Sequence, residues 1–293
     1  MFSLPPGIGY SLAAALVWGT YIFVLKQYFE EYPSTVVTVG VNAAAVLWYL
    51  PLTIRRTSPA DVPSLSGFGV AEGLLVLGTI VASAAAFLVF LWALGLGDVS
   101  YVAPISKIVP VFVLPIEVVF LQERLTPIQI TGVVVATLAV YVANYRTGSL
   151  LDPVRKAASS RAAQFGLLSA AFFAVSDVGK RVALQELAIP LELWVPTVLG
   201  GVLVVVLPLA AREWVPLRDA LPKFVLAGAG VAIGEHVTSL AFSTVPASIA
   251  SPIINTQAVV AVLLGGVLLR EDSFGIRLVA AGLAVVGVGL IAA

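Results

Sequence analysis

The residues able to do chemistry are few, and most of them stand in apolar company. Lys107 and Glu117 fall inside the apolar stretch Val99–Leu121, Asp177 inside Ala162–Lys180, and Glu235 with His236 inside Leu221–Phe242. Asn255, Thr256 and Gln257 interrupt the uncharged run Val237–Leu269. A charge at membrane depth costs about 2.5–3.5 kcal/mol on insertion scales, so each should face a cavity or a partner. Lys107 offers an ammonium to a carboxylate, or belongs to a structural ion pair. Glu235 can answer a substrate ammonium or pair with Lys107. His236 can carry a proton near neutral pH, or serve as a hydrogen-bonded packing residue. Because Glu235 and His236 are consecutive, their side chains diverge by about 100° on a helix, and one of them faces the cavity.

The remaining inventory narrows the chemistry. The chain has no Cys and one His, which excludes disulfides and thiolate sites and leaves a zinc cage without ligands. No Gly-x-Ser-x-Gly, His-Glu-x-x-His or Gly-x4-Gly-Lys-Ser/Thr stretch occurs, so an enzyme or an ATP-driven pump is not expected, and neither is a cofactor. Asp177 and Lys180 are three apart, a spacing that predicts a local pair on one helix face. Trp18, Tyr21, Trp92 and Tyr101 are candidate cavity aromatics, Tyr101 foremost for its nearness to Lys107, although Trp and Tyr also populate interface belts. Gln257 is a further candidate beside Asn255. Gly230 and Gly234 form a small-xxx-small pair suited to helix packing.

Those residues need elements to hold them. Of 293 residues 60% are apolar and 11% charged, and the mean hydropathy is +1.05, which makes lipid the solvent. Sixteen Lys+Arg balance sixteen Asp+Glu, leaving no basic excess for nucleic acid. With about 20 apolar residues per crossing, ten spans are expected: Gly7–Leu25, Tyr32–Ile54, Gly73–Gly97, Val99–Leu121, Leu125–Tyr145, Ala162–Lys180, Leu193–Ala211, Leu221–Phe242, Ala247–Leu269 and Gly275–Ala292. The N-terminus lacks the basic region of a signal peptide, so the first span is expected to be retained. Pro104, Pro110 and Pro115 around Lys107 predict a bent fourth span, wet on one side.

A polar linker, residues 146–161, separates residues 1–145 from residues 162–293, five spans each. Shifting the chain by 148 residues lays Val99–Tyr145 on Ala247–Ala293, so that Ser100 meets Ser248, Pro104 meets Pro252, Glu123 meets Glu271 and Lys107 meets Asn255. An odd number of spans per half makes the second half enter from the opposite face, an inverted repeat that rocks around a midplane site. Small residues let these helices pack without a partner chain, so a monomer is expected.

The stretches Gly97–Pro104 through Leu121–Thr126, and Val245–Pro252 through Leu269–Asp272, resemble the paired EamA repeats of the drug/metabolite transporter superfamily. Gly9 to Gly19 with Trp18-Gly19, and the weaker Gly166 to Ser176, add to the likeness, which covers nearly the whole chain. The family's proline within the fourth helix is matched by Pro110, whereas Ala258 stands at the equivalent place in the second half. The resemblance implies an all-α integral membrane protein of ten helices, two inverted five-helix repeats around a central cavity. It implies binding residues on the fourth and ninth spans, hence Lys107 and Asn255; a buried Asn or Gln can instead only tie helices together. Among members the chain looks most like the ten-helix amino-acid exporters, so an amino acid is the expected substrate. Drugs, or sugar-phosphate and nucleotide-sugar metabolites, are the alternative. The resemblance also implies an inner-membrane location and cytoplasmic termini. Charge counting points the other way: Arg55, Arg56, Arg124, Lys180 and Arg181 lie on the side of the termini, and the other side carries more. The expectation adopted is cytoplasmic termini, because Arg55-Arg56 directly follow the second span.

Overall fold

The computed structural model describes residues 5–58, 69–96, 105–143, 160–268 and 274–293. They form eleven α-helices: α1 (Pro6–Tyr28), α2 (Ser34–Arg56), α3 (Val70–Leu96), α4 (Val109–Phe120), α5 (Pro127–Ala143), α6 (Arg161–Gln185), α7 (Leu191–Ala210), α8 (Leu221–Phe242), α9 (Ala247–Asn255), α10 (Gln257–Leu268) and α11 (Phe274–Ala292). Six are long and apolar enough to cross a membrane, and the rest are shorter apolar helices. Exposed Leu47, Ile54, Leu77, Val204, Leu226 and Val285 give the outer surface its apolar character, which suits contact with lipid rather than water.

Local sequence sets the starts of these helices. Pro33, Pro190 and Pro246 sit just ahead of α2, α7 and α9 in extended backbone. Each fixes φ near the helical value while its carbonyl accepts the first helical bond, from Val37, Trp194 and Ala250 respectively. Thr126 and Gln129 form a reciprocal box at the start of α5: the Gln129 side chain accepts from Thr126 N at 3.0 Å, and Thr126 Oγ1 accepts from Gln129 N at 3.3 Å.

Two expected spans are not continuous. The fourth is interrupted at Lys107-Ile108, where helical residues 105–106 give way to a turn before α4 begins. Pro110, in the first turn of α4, has no N–H to carry a helical ladder across that turn. The ninth is interrupted at Thr256, between α9 and α10. There the Thr256 hydroxyl donates back to Ile253 O at 2.7 Å, and Ala258 keeps the N–H that Pro110 lacks. The two interruptions are 148 residues apart in register, Lys107 with Asn255 and Ile108 with Thr256.

The helices pack in pairs, α5 on α11, α2 on α7, α1 on α8 and α3 on α6. The α5–α11 contact is backbone to backbone. A Cβ on Gly132 would lie 2.7 Å from Ile291 N, and one on Gly287 2.6 Å from Ala136 N, so only glycine permits that approach. α6 continues past the expected end at Lys180 as far as Gln185, so Lys180 and Arg181 are buried helix residues and not loop charges. Tyr101, the linker residues 146–159 and Glu271 lie outside the described residues.

Candidate functional site

The interruptions border a cavity walled by α1, α2, α3, α6, α7 and α8 and by residues at both breaks. Its aromatic lining is Trp18, Tyr21, Phe87, Phe90 and Phe173, and its charged lining is Lys107, Asp177, Lys180 and Glu235. Trp18 is fixed from two sides. Its indole Nε1 donates to Thr238 Oγ1 at 2.8 Å, and its ring lies against Gly234, where an added Cβ would come within 2.9 Å of it. Gly234 thus seats an aromatic side chain, whereas an added Cβ on Gly230 would meet nothing within 4 Å.

Lys107 occupies the first break. Its ammonium lies 4.9 Å from the ring centroid of Phe90 on α3 and 4.8 Å from that of Phe173 on α6. The two ring faces stabilise the cation, each by an amount that grows as water is excluded. Among the described residues no carboxylate forms an ion pair with Lys107. The side chain is buried yet still borders the cavity, so its charge is available to whatever enters.

The carboxylates come from the other half of the chain. Lys180 Nζ lies 2.6 Å from Glu235 Oε1 and 2.9 Å from Oε2, joining α6 to α8. This overturns two expectations, the local Asp177–Lys180 pair and a Glu235–Lys107 pair. The i,i+3 spacing is real, but α8 presents a carboxylate closer to Lys180 than its own helix does. Asp177 Oδ2 instead accepts a hydrogen bond from Ser251 Oγ of α9 at 2.7 Å.

At the second break Asn255 donates its amide to Ser251 O at 2.8 Å and to Ser251 Oγ at 3.1 Å. Asn255 and Gln257 both line the cavity. Of the consecutive Glu235 and His236, Glu235 faces the cavity. His236 turns to α2, where its Nδ1 shares a 2.7 Å hydrogen bond with the Tyr49 hydroxyl, and it is not among the lining residues. Trp92 is 44% exposed and points outward. Sequence reasoning missed the site roles of Asp177, Lys180, Ser251, Phe90 and Phe173. The intramembrane charge of Asp177 was a signal in itself; the two phenylalanines carry none.

A second ion cluster gathers around Glu117 and Arg181. Glu117 of α4 is fully buried, and its two oxygens accept from Ala247 N at 2.8 Å and Ser248 N at 2.7 Å. A carboxylate thereby caps the positive end of α9 from another helix. Arg181 Nε stands 3.8 Å from Glu117 Oε1, and its guanidinium also pairs with Glu123 and Glu186. Gln185 Nε2 adds bonds to Phe242 O at 2.6 Å and Val245 O at 3.0 Å. Together these contacts stitch α4, α6 and the α8–α9 turn.

A family model described as "EamA-like transporter family" matches residues 5–145 and again residues 160–293. A solved crystal structure is 14% identical over 98% of both chains, with a TM-score of 0.77, a likeness of fold alone. No curated protein matches.

Proposed function

The chain belongs to the EamA-like transporter family, and from that premise we propose that it carries amino acids, aromatic and other neutral ones among them, out across the inner membrane by alternating access. That it is an integral membrane transporter and not an enzyme follows from the family. The amino-acid substrate rests on one observation above the others: Lys107, with no paired carboxylate among the described residues, borders a cavity that also holds carboxylates and aromatic walls. A zwitterion with an apolar side chain needs a cation, an anion and an apolar surface, and all three line the same space. A multiply charged phosphate ester would require more cation than this, because Lys180 is already neutralised by Glu235.

Support for the mechanism comes from the breaks. Discontinuous helices at matching registers of two repeats are how inverted-repeat carriers expose backbone and polar groups at the midplane. We read residues 1–145 and 162–293 as those two repeats, ten spans in a single monomer, with cytoplasmic termini. On that reading the Glu117–Arg181 cluster lies on the cytoplasmic side and closes it, so Arg181 must release its carboxylates when the cavity opens inward.

The test is counterflow. Purified protein in liposomes preloaded with unlabelled phenylalanine is expected to accumulate labelled phenylalanine saturably, and a panel of amino acids should compete. Absence of exchange for every amino acid above empty liposomes, with folded protein, would redirect the assignment to drugs or sugar phosphates.

A further inference from the structure

The partners of the four charged side chains in the cavity decide which of them is free to read a positive group. Lys180 and Glu235 neutralise each other: Lys180 Nζ donates to Glu235 Oε2 at 2.9 Å and lies in ion-pair contact with Oε1 at 2.6 Å. Asp177 lies one turn before Lys180 on the same helix, yet its hydrogen-bond donor is neutral. Ser251 Oγ has a single proton to give. It accepts from Asn255 Nδ2 at 3.1 Å and lies 2.7 Å from Asp177 Oδ2, so the chain of donors runs from Asn255 through Ser251 and ends on the carboxylate. An ionised carboxylate has about four acceptor positions, and Ser251 fills one. Asp177 borders the cavity, as does Lys107, whose ammonium lies against the ring of Phe173, a residue one turn before Asp177 on α6.

We propose that Asp177 is the specificity-determining residue that binds the α-ammonium of the cargo, while Lys107 binds its carboxylate. This rests on the amino-acid reading above and adds to it a fixed polarity: the carboxylate end of the cargo meets the first half of the chain, the ammonium end the second. Ser251 is a positioning residue, holding Asp177 toward the cavity and away from Lys180. The groups that face Asp177 are Lys107 from the first break, Lys180 from its own helix, Glu235 from α8 and Ser251 from α9.

The experiment compares wild type, Asp177→Asn and Asp177→Glu in liposomes preloaded with phenylalanine. Inhibition of labelled phenylalanine counterflow is measured with 3-phenylpropionate, which lacks the ammonium, and with phenethylamine, which lacks the carboxylate. Melting in detergent checks that each variant is folded. Loss of one charge-assisted hydrogen bond predicts that Asp177→Asn weakens phenylalanine by about tenfold or more. Its residual counterflow should be inhibited by 3-phenylpropionate at least as well as in wild type and no longer by phenethylamine. Asp177→Glu should keep the amino-acid preference. Wild-type phenylalanine affinity in Asp177→Asn would overturn the proposal, and so would an equal loss for phenylalanine and 3-phenylpropionate, which marks a structural role. Wild type that exchanges no amino acid fails earlier, before any variant is compared, and removes the carrier reading together with this one.

Discussion

The two helix interruptions lie 148 residues apart in the sequence and do different things. At the first, Pro110 leaves a turn two residues wide, and Lys107 projects a cation held between Phe90 and Phe173. At the second, Ala258 stands in place of proline, a single residue breaks the helix, and Asn255 folds its amide back onto Ser251. The charge missing from the second break reappears nearby with opposite sign, as Asp177 on α6 and Glu235 on α8. The two breaks therefore divide the chemistry. Two interrupted helices border one cavity. An asymmetric set of side chains gives that cavity a direction, the unpaired cation Lys107 from residues 1–145 and, from residues 162–293, the carboxylates, one of them neutralised by Lys180.

The harshest way to break that division is to remove the cation. Lys107→Met should lower amino-acid counterflow by at least about tenfold, the loss of a charge-assisted bond. Adding Asn255→Lys to Lys107→Asn should not restore it, because the cation then lies beside Ser251 and Asp177 and neutralises the carboxylate it ought to oppose. Next in size is the buried pair. Glu235→Gln leaves Lys180 without its partner and should destabilise the fold by roughly 3 kcal/mol, whereas Lys180→Met with Glu235→Gln should recover most of that loss. Thermal melting of the three proteins in detergent reads the difference.

The Glu117–Arg181 cluster gives a smaller effect with a different signature. Glu117→Gln removes the charge of the cap on α9 and leaves one acceptor oxygen for the two N–H groups of Ala247 and Ser248, a loss of about 2 kcal/mol. The closed arrangement should become less populated. Because the chain has no Cys, a cysteine introduced at Ser176 in the cavity would be the only one, and its labelling by an impermeant maleimide from the cytoplasmic side should rise. Smallest is Tyr49→Phe. It removes the bond to His236 at roughly 0.6 kcal/mol, and exchange should stay within twofold of wild type, since neither ring borders the cavity. A large loss would return His236 to the transport mechanism and weaken the contrast between the halves.

Much of this was legible from residue order, and what was not has a physical reason. The span expected over Leu221–Phe242 coincides with α8, because apolar length and flanking polar residues are local properties. The weakness of the fourth span was visible in Pro104, Pro110 and Pro115, and the pairing of Lys107 with Asn255 in the 148-residue shift. The partners of the charges were hidden. An i,i+3 spacing speaks only for one helix, so it joined Lys180 to Asp177 when Glu235, 55 residues away in sequence, was the nearer carboxylate. Glu117 capping α9 spans 130 residues, and nothing in its local sequence points there. Phe90 and Phe173 are ordinary apolar residues until the fold places them on either side of an ammonium.

The most direct measurement is counterflow of labelled phenylalanine into preloaded proteoliposomes by wild type and Lys107→Met, side by side at equal folded protein. Saturable exchange in wild type that falls to near the level of empty liposomes in Lys107→Met is the predicted result. Equal exchange by both proteins, or none by wild type, would contradict a carrier whose cargo is held across the cavity by Lys107.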